Sequence, residues 1–168
     1  ITAKHKMKLT KDVVVIGAGA AGMMCALEAG KRGRAVLLLD HATRLAEKIR
    51  ISGGGHCNFT NRHAGPENFL SLNPHFCRSA LARFTPQDFI ALVEKHGIRY
   101  NEKKLGQLFC DDSAQQIIDL LRQECAAAGV EWQMPCRVQS INPAKPDADS
   151  SGGFVLETDR GSVVADAL

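Results

Sequence analysis

Three observations predict an α/β fold built on a parallel sheet, a Rossmann-like nucleotide-binding unit. They are a continuous β-branched run over residues 13–16, three glycines behind it on a G-x-G-x-x-G spacing, and a second apolar run closed by an acid at Asp40. An uninterrupted apolar run is what a strand buried on both faces needs, so residues 13–16 read as strand one. Gly17 permits the tight turn, Gly19 lets backbone approach a pyrophosphate, and Gly22 lets the next helix pack close to the strand. Ala20 and Ala21 open a helix rich in small residues, whose N-terminal N–H groups and dipole suit a phosphate. Residues 35–39 read as strand two. Asp40 ends it 18 residues after Gly22, the distance at which an acid holds a ribose hydroxyl. The spacing alone is weak evidence, and a plain glycine-rich turn would also satisfy it. A strand before it, a helix behind it and the acid at that distance make a dinucleotide-binding βαβ unit.

The 168 residues suffice for one domain with a real core. A net charge of +3 is too small to argue for nucleic acid. Lys4, Lys6, Lys8 and Lys11 form a basic leader over residues 1–11, read as solvated rather than as a binding arm. No apolar run reaches the ~18 residues of a membrane span. With no apolar segment before strand one, the cytoplasm is the expected compartment. Six cysteines, at 25, 57, 77, 110, 125 and 136, form no C-x-x-C. That removes the usual dithiol and zinc patterns, so no metal is expected. Cys25 and Cys125 lie in helical patterns and read as small core residues.

Beyond the first unit, residues 41–65 read as a long polar and glycine-rich crossing, and residues 66–129 as a helical insert. Asn73-Pro74 starts one helical segment, with Phe76, Ala80, Leu81 and Phe84 spaced for one face. Thr85 is a good N-cap for the next, with Pro86 at N1 and Asp88 at N3. Its apolar stripe is Phe89, Leu92, Val93 and His96, and Gly97 ends it. His96 reads as a packed histidine, with a catalytic role as the rival. Ser113 and Gln116 form a capping box for a third helix that Gly129 stops. A short strand pair fits around residues 98–100 and 107–109. Residues 130–141 carry a third strand, with alternation at Val130, Trp132 and Met134 and then Val138 and Ile141. Residues 142–153 are a Pro, Asp and Ser-rich loop. Residues 154–158 and 162–165 form a hairpin. The chain then stops in an apolar stretch at Leu168, which reads as a cut end.

The second informative segment is Ile51-Ser-Gly-Gly-Gly-His-Cys-Asn-Phe-Thr-Asn61. Three consecutive glycines cost ordering entropy, so Gly53, Gly54 and Gly55 point to positive φ or to a ligand that approaches closely. Asn58, Thr60 and Asn61 supply neutral hydrogen-bonding groups. Lys48, just upstream, can approach phosphates. A flexible linker is the bland alternative, but Cys57 and Phe59 directly after the glycines favour a ligand loop. Cys57 is either a packed thiol or a group beside that ligand.

These segments, with Gly106-Gln-Leu-Phe-Cys-Asp-Asp-Ser-Ala-Gln115, resemble the HI0933-like flavoproteins, the BaiN/RdsA family of NAD(P)/FAD-dependent oxidoreductases. The chain departs from that pattern at His56, where the family commonly has Arg, at Ala46-Glu47 for Gly-Arg, and at Arg50 for an apolar residue. The resemblance implies an FAD domain of the glutathione-reductase type. Gly17, Gly19 and Gly22 would sit on the pyrophosphate and Asp40 on the adenosine ribose. Residues 53–58 would lie near the flavin, and the adenine against backbone around Val138. It implies NAD(P)H as electron donor and an electron-poor C=C bond as acceptor, in a small molecule or an RNA base such as a uracil ring. It also places a further strand and a substrate domain after Leu168. The chain alone is therefore expected to be inactive, to hold flavin poorly and to self-associate through an uncovered edge or apolar face of the hairpin. Two rivals stand beside this reading. An NAD(P)-binding dehydrogenase domain explains residues 12–40 but not the triple glycine, and an RNA-binding module lacks an aromatic RNA-binding motif.

Overall fold

A computed structural model describes residues 9–144 and 152–168. Residues 1–8 of the basic leader and residues 145–151 of the Pro, Asp and Ser-rich loop lie outside the described residues. Leu9–Lys11, by contrast, open the first strand, and Lys11, expected to be solvated, is largely buried and pairs with Glu131 at 2.6 Å. The chain divides into two compact units, residues 1–46 with 121–168, and residues 47–120.

The first unit is organised by a six-stranded sheet in the order β6-β2-β1-β9-β8-β7. Strand β1 (Leu9–Ile16) leads into helix α1 (Ala20–Lys31) and strand β2 (Val36–Leu39). β1 and β2 run parallel, with Val13 opposite Val36 and Ile16 opposite Leu39. All four residues of β2 are buried, as a strand covered on both faces requires. Side chains alternate across the sheet. Leu37 and Leu39 join Val14, Leu156, Val163 and Ala165 in one core layer. Helix α1 lies against β1 and β2 and buries Met23, Ala26 and Leu27.

The expected third strand is two strands. β6 (Glu131–Gln133) runs parallel to β2, whereas β7 (Val138–Ala144) pairs with β8 (Gly153–Thr158). They lie at opposite edges of the sheet. Pro135, which has no N–H to give a ladder, stands between them, after a cis Met134–Pro135 bond. The hairpin of β8 and β9 (Gly161–Ala167) forms as expected. Its edges are covered, however, because β9 pairs in parallel with β1 and β8 with β7. The hairpin is thus interior to the sheet, which removes the expected uncovered edge. Of the two cysteines expected in the core, Cys125 is buried but Cys25 is exposed, since Cys25 falls off the stripe of α1 made by Met23, Ala26 and Leu27.

The second unit carries a three-stranded antiparallel sheet in the order β3-β5-β4. The crossing expected over residues 41–65 holds a five-residue helix, α2 (Glu47–Ile51), a tight turn (Ser52–Gly55) and β3 (Asn58–Asn61). The insert is not helical throughout. β4 (Tyr100–Glu102) and β5 (Gln107–Cys110) sit where the short strand pair was expected. Helix α3 (Arg78–Arg83) has six residues, too few to bury the expected face, and Phe76 is 83% and Phe84 39% exposed. Helix α4 (Pro86–Lys95) has the expected N-terminus. The Thr85 side chain accepts from Asp88 N–H while the Asp88 carboxylate accepts from Thr85 N–H, a complete capping box. Ile90 and Val93 are its buried residues. Helix α5 (Gln115–Ala127) contains the boundary between the units. Ser113 Oγ accepts from Gln115 N–H, but the Gln116 amide reaches Asp112, so the expected reciprocal box is half made.

Thr85→Ala should lower stability by about 1 kcal/mol, the usual cost of losing such a cap. Thermal melts of the two proteins check this, with Thr85→Ser restoring the wild-type value.

Candidate functional site

The glycine turn is built by close packing in the first unit. Gly17 has φ of 106°, a conformation L side chains rarely adopt, and its N–H donates to the Leu39 carbonyl at 2.7 Å. Gly22 sits so close beneath it that a Cβ there would fall inside the Gly17 carbonyl oxygen. Gly19 is the N-cap of α1, extended at φ −82° and ψ −173°, with no side-chain cap. A Cβ at Gly19 would meet nothing within 4 Å. Gly19, Ala20 and Ala21 are all exposed. Three roles therefore separate among glycines that sequence treats alike. Gly17 is required by φ, Gly22 by packing, and Gly19 leaves backbone open to solvent at a helix N-terminus, where unpaired N–H groups attract anions.

Beside the turn lies a cleft of about 260 Å³ lined by Ile16, Gly17, Asp40, His41, Cys136, Arg137 and Val138. It opens at the carboxyl ends of β1 and β2, where parallel α/β sheets bind ligands. Asp40 is one of the lining residues, and its carboxylate is held by two backbone N–H groups. Oδ2 accepts from Ala18 N–H at 2.7 Å and Oδ1 from Ala42 N–H at 2.8 Å. His41 Nδ1 lies 3.5 Å from Oδ1. Val138 enters because Cys136 N–H donates to the Asp40 carbonyl at 2.7 Å, which fastens the segment after β6 to the end of β2. The structure thus brings Gly17, Asp40 and Val138 together. His41, Cys136 and Arg137 escaped sequence reasoning. The only signal was adjacency to Asp40 and Val138, which carries no chemistry by itself.

In the second unit, Gly53, Gly54 and Gly55 all have positive φ, at 61°, 66° and 90°. Gly53 is held by contact, since a Cβ would come within 2.6 Å of the Phe109 ring. Gly54 and Gly55 would meet nothing within 4 Å. Cys57 N–H donates to the Ser52 carbonyl and Asn58 N–H to Ser52 Oγ, closing the turn. His56 Nδ1 lies 3.2 Å from the Cys110 carbonyl. A carbonyl only accepts, so Nδ1 carries the proton. Lys103 Nζ stands 4.1 Å from the centre of the Phe109 ring on the same sheet, a cation–π contact. The Asn58 amide, turned to satisfy its neighbours, donates to the Thr60 and Leu108 carbonyls and is partly spent within the sheet. Lys48 is exposed on α2.

Cys57 is 4% exposed and has φ of 50°. Burial pushes its thiol up, and a hydrogen bond with Ser52 offsets this in part. Burial, with a smaller contribution from Cys57, pushes the Cys110 thiol up to about 12. Both are poor nucleophiles at neutral pH, because the thiolate is the reactive form. Among the described residues no group of three His, Cys, Asp or Glu side chains could hold a metal ion, and no helix is long and apolar enough to cross a membrane.

Residues 11–168 match the model of the HI0933-like protein Rossmann domain. The chain is 52% identical over 157 residues to the ribosomal RNA dihydrouridine synthase of Escherichia coli, covering 94% of this chain and 38% of the relative. It is 26% identical over 157 residues to the 3-dehydro-bile acid delta(4,6)-reductase of Clostridium scindens, covering 92% and 37%. Among solved structures, 3-ketosteroid-delta4-(5alpha)-dehydrogenase from Rhodococcus jostii superposes with a TM-score of 0.63 at 15% identity, covering 98% of this chain and 45% of that one. The chain thus spans well under half the length of the curated relatives it matches. It belongs to the HI0933-like family and has that family's Rossmann-type FAD-binding fold.

The glycines predict a contrast. Gly22→Ala should unfold the first unit or lower its stability by several kcal/mol, beyond the ~1–3 kcal/mol usual for overpacking, because the backbone oxygen it meets cannot move aside. Gly19→Val should leave the melting temperature near wild type and abolish nucleotide binding. Melts and ligand titrations on both variants check this. A thiol prediction is independent of any ligand. At pH 8, Cys110 should react with iodoacetamide at least roughly a thousandfold more slowly than an ordinary thiol, from its thiolate fraction alone. Peptide mapping of alkylated protein should show exposed Cys25 modified first.

Proposed function

We propose that this chain holds FAD in a flavin oxidoreductase of the HI0933-like family, and that the whole protein passes hydride from NAD(P)H through the flavin to an electron-poor C=C bond. The observation that carries the reading is the cleft at the ends of β1 and β2, which gathers Gly17, Asp40 and Val138 beside the open N-terminus of α1. Gly19, Ala20, Ala21 and Gly22 would meet the pyrophosphate through backbone N–H groups, while Gly17, whose N–H is given to the Leu39 carbonyl, would shape the turn beside it. The Asp40 carboxylate, with lone pairs beyond those given to Ala18 and Ala42, would accept from the ribose. Backbone at Val138 would border the adenine. By the family resemblance, Gly53, Gly54, Gly55, Cys57 and Asn58 would serve the flavin end, with Lys48 able to neutralise phosphate. Gly54 and Gly55 suit such a role because their outward faces are empty.

Bound FAD supplies the two-electron relay, and the protein supplies position and exclusion of water. The substrate reading follows the relatives. Two of them carry names for the addition of two hydrogens across a double bond, one in a uridine of ribosomal RNA and one in a bile acid. The higher identity to the first favours a uracil ring in RNA for this protein. In that reaction one ring carbon receives hydride and its neighbour a proton, while the nicotinamide leaves oxidised.

FAD, NAD+ and FMN titrated against a protein carrying this chain at its relatives' full length, stripped of bound flavin, separate the readings. FAD should bind with its fluorescence quenched, and ADP should displace it. FMN, which lacks the adenosine, should compete poorly, and NAD+ at least tenfold more weakly than FAD. Tighter binding of NAD+ than of FAD would support a dehydrogenase domain and overturn the proposal. In a protein carrying this chain at its relatives' full length, NAD(P)H should bleach the flavin without oxygen, and a uridine-containing ribosomal RNA fragment should restore its colour. Bleaching that no such RNA reverses removes the substrate assignment and leaves the cofactor assignment standing.

A further inference from the structure

We infer that the Asp40 carboxylate is the brace that sets the glycine turn in its phosphate-binding shape, so that Asp40 is a positioning residue for the pyrophosphate as well as a partner for the ribose. The inference rests on the reading of residues 17–22 as a phosphate site. The turn leaves β1 with two consecutive N–H groups aimed at the end of β2. Gly17 N–H donates to the Leu39 carbonyl at 2.7 Å, and Ala18 N–H donates to Asp40 Oδ2 at 2.7 Å. Ala18 is fully buried with the carboxylate in place, and a buried unpaired N–H is strongly disfavoured. The other oxygen, Oδ1, accepts from Ala42 N–H at 2.8 Å and holds the loop after β2.

Asp40 is itself fixed from a third side. Its N–H donates to the Gln133 carbonyl at 3.2 Å, and its carbonyl accepts from Cys136 N–H at 2.7 Å. One residue therefore ties together three pieces, the turn after β1 and the loop after β2 through its carboxylate and the segment after β6 through its backbone. These are the three pieces that line the cleft. A ribose contact alone would need none of the bonds that are already made without a ligand. The length of aspartate matters, because a glutamate carboxylate would overreach Ala18 by a methylene.

Ligands with and without ribose hydroxyls test this on the intact chain. Wild type, Asp40→Ala and Asp40→Asn are titrated with ADP and with 2′,3′-dideoxyadenosine 5′-diphosphate. If Asp40 braces the turn, Asp40→Ala weakens the dideoxy ligand at least tenfold, nearly as much as ADP. Asp40→Asn should recover part of the loss, since its amide oxygen can still accept from Ala18. If Asp40 serves the ribose alone, Asp40→Ala leaves dideoxy binding unchanged, and the inference is overturned while the phosphate site stands. If wild type binds neither nucleotide, the phosphate reading itself fails. A variant that does not fold is bypassed by amide exchange on ligand-free wild type. The Ala18 amide should exchange far more slowly than the exposed amides of Ala20 and Ala21, and exchange as fast as theirs would overturn the brace.

Discussion

The contact between Gly22 and the carbonyl of Gly17 is the constraint on which the rest of the first unit depends. Any side chain at Gly22 would occupy the carbonyl's place, so only glycine lets α1 start directly over the turn that leaves β1. That proximity aims the first N–H groups of α1 beyond the carboxyl edge of the sheet. It also lets Met23, Ala26 and Leu27 bury against β1 and β2 with no gap. The same approach recurs at the other end of the helix. A Cβ at Gly30 would collide with the Ala128 carbonyl, so helix ends that meet closely are glycine at both contacts. Position of the helix and position of the backbone proposed to meet the phosphates are thus one decision, made by the absence of a side chain.

What the sequence disclosed and what it hid divide along locality. β1, α1, β2 and Asp40 were legible because each signal lies within a few residues of what it specifies. A buried run, a glycine at positive φ and an acid after a strand are all local. The cap at Thr85 and Asp88 was legible for the same reason. Residues 130–141 misled because their alternation is real on both sides of Pro135. No local rule says that β6 joins β2 at one edge while β7 joins β8 at the other. The reading of Phe76 and Phe84 as a buried face failed differently. Their spacing is helical, but only residues from Arg78 to Arg83 form the helix, so period without length was no guide to burial.

The site shows the same division. Gly17, Asp40 and the three glycines at 53–55 announce themselves by residue type. His41, Cys136 and Arg137 reach the cleft only because the Asp40 backbone binds residues 133 and 136, about a hundred positions away. Phe109 and Lys103 gain their meaning only from the β5 register, which sets the ring against Gly53 and the ammonium over the ring. Sequence reading therefore found the residues that must be of one type. It missed those that fill the remaining walls, where many types would serve.

The glycine triplet extends the point to energetics. Three left-handed residues in succession lose more conformational entropy on folding than any other tripeptide would, and little of that loss is offset inside the turn. Only Gly53 is packed from outside, by Phe109, whereas Gly54 and Gly55 face empty space. Cys57 adds a further cost by standing at φ of 50° without being glycine. The turn persists because its ends are tied down. Cys57 and Asn58 bond back to Ser52, Cys110 N–H donates to the His56 carbonyl, and Ala114 N–H donates to the Gly55 carbonyl at 2.7 Å. A loop needed only as a connection would gain nothing from such restraint, since a flexible one of the same length spans the gap at lower cost. Rigid ends around an empty, side-chain-free middle are what a surface needs when something else must lie flat against its backbone.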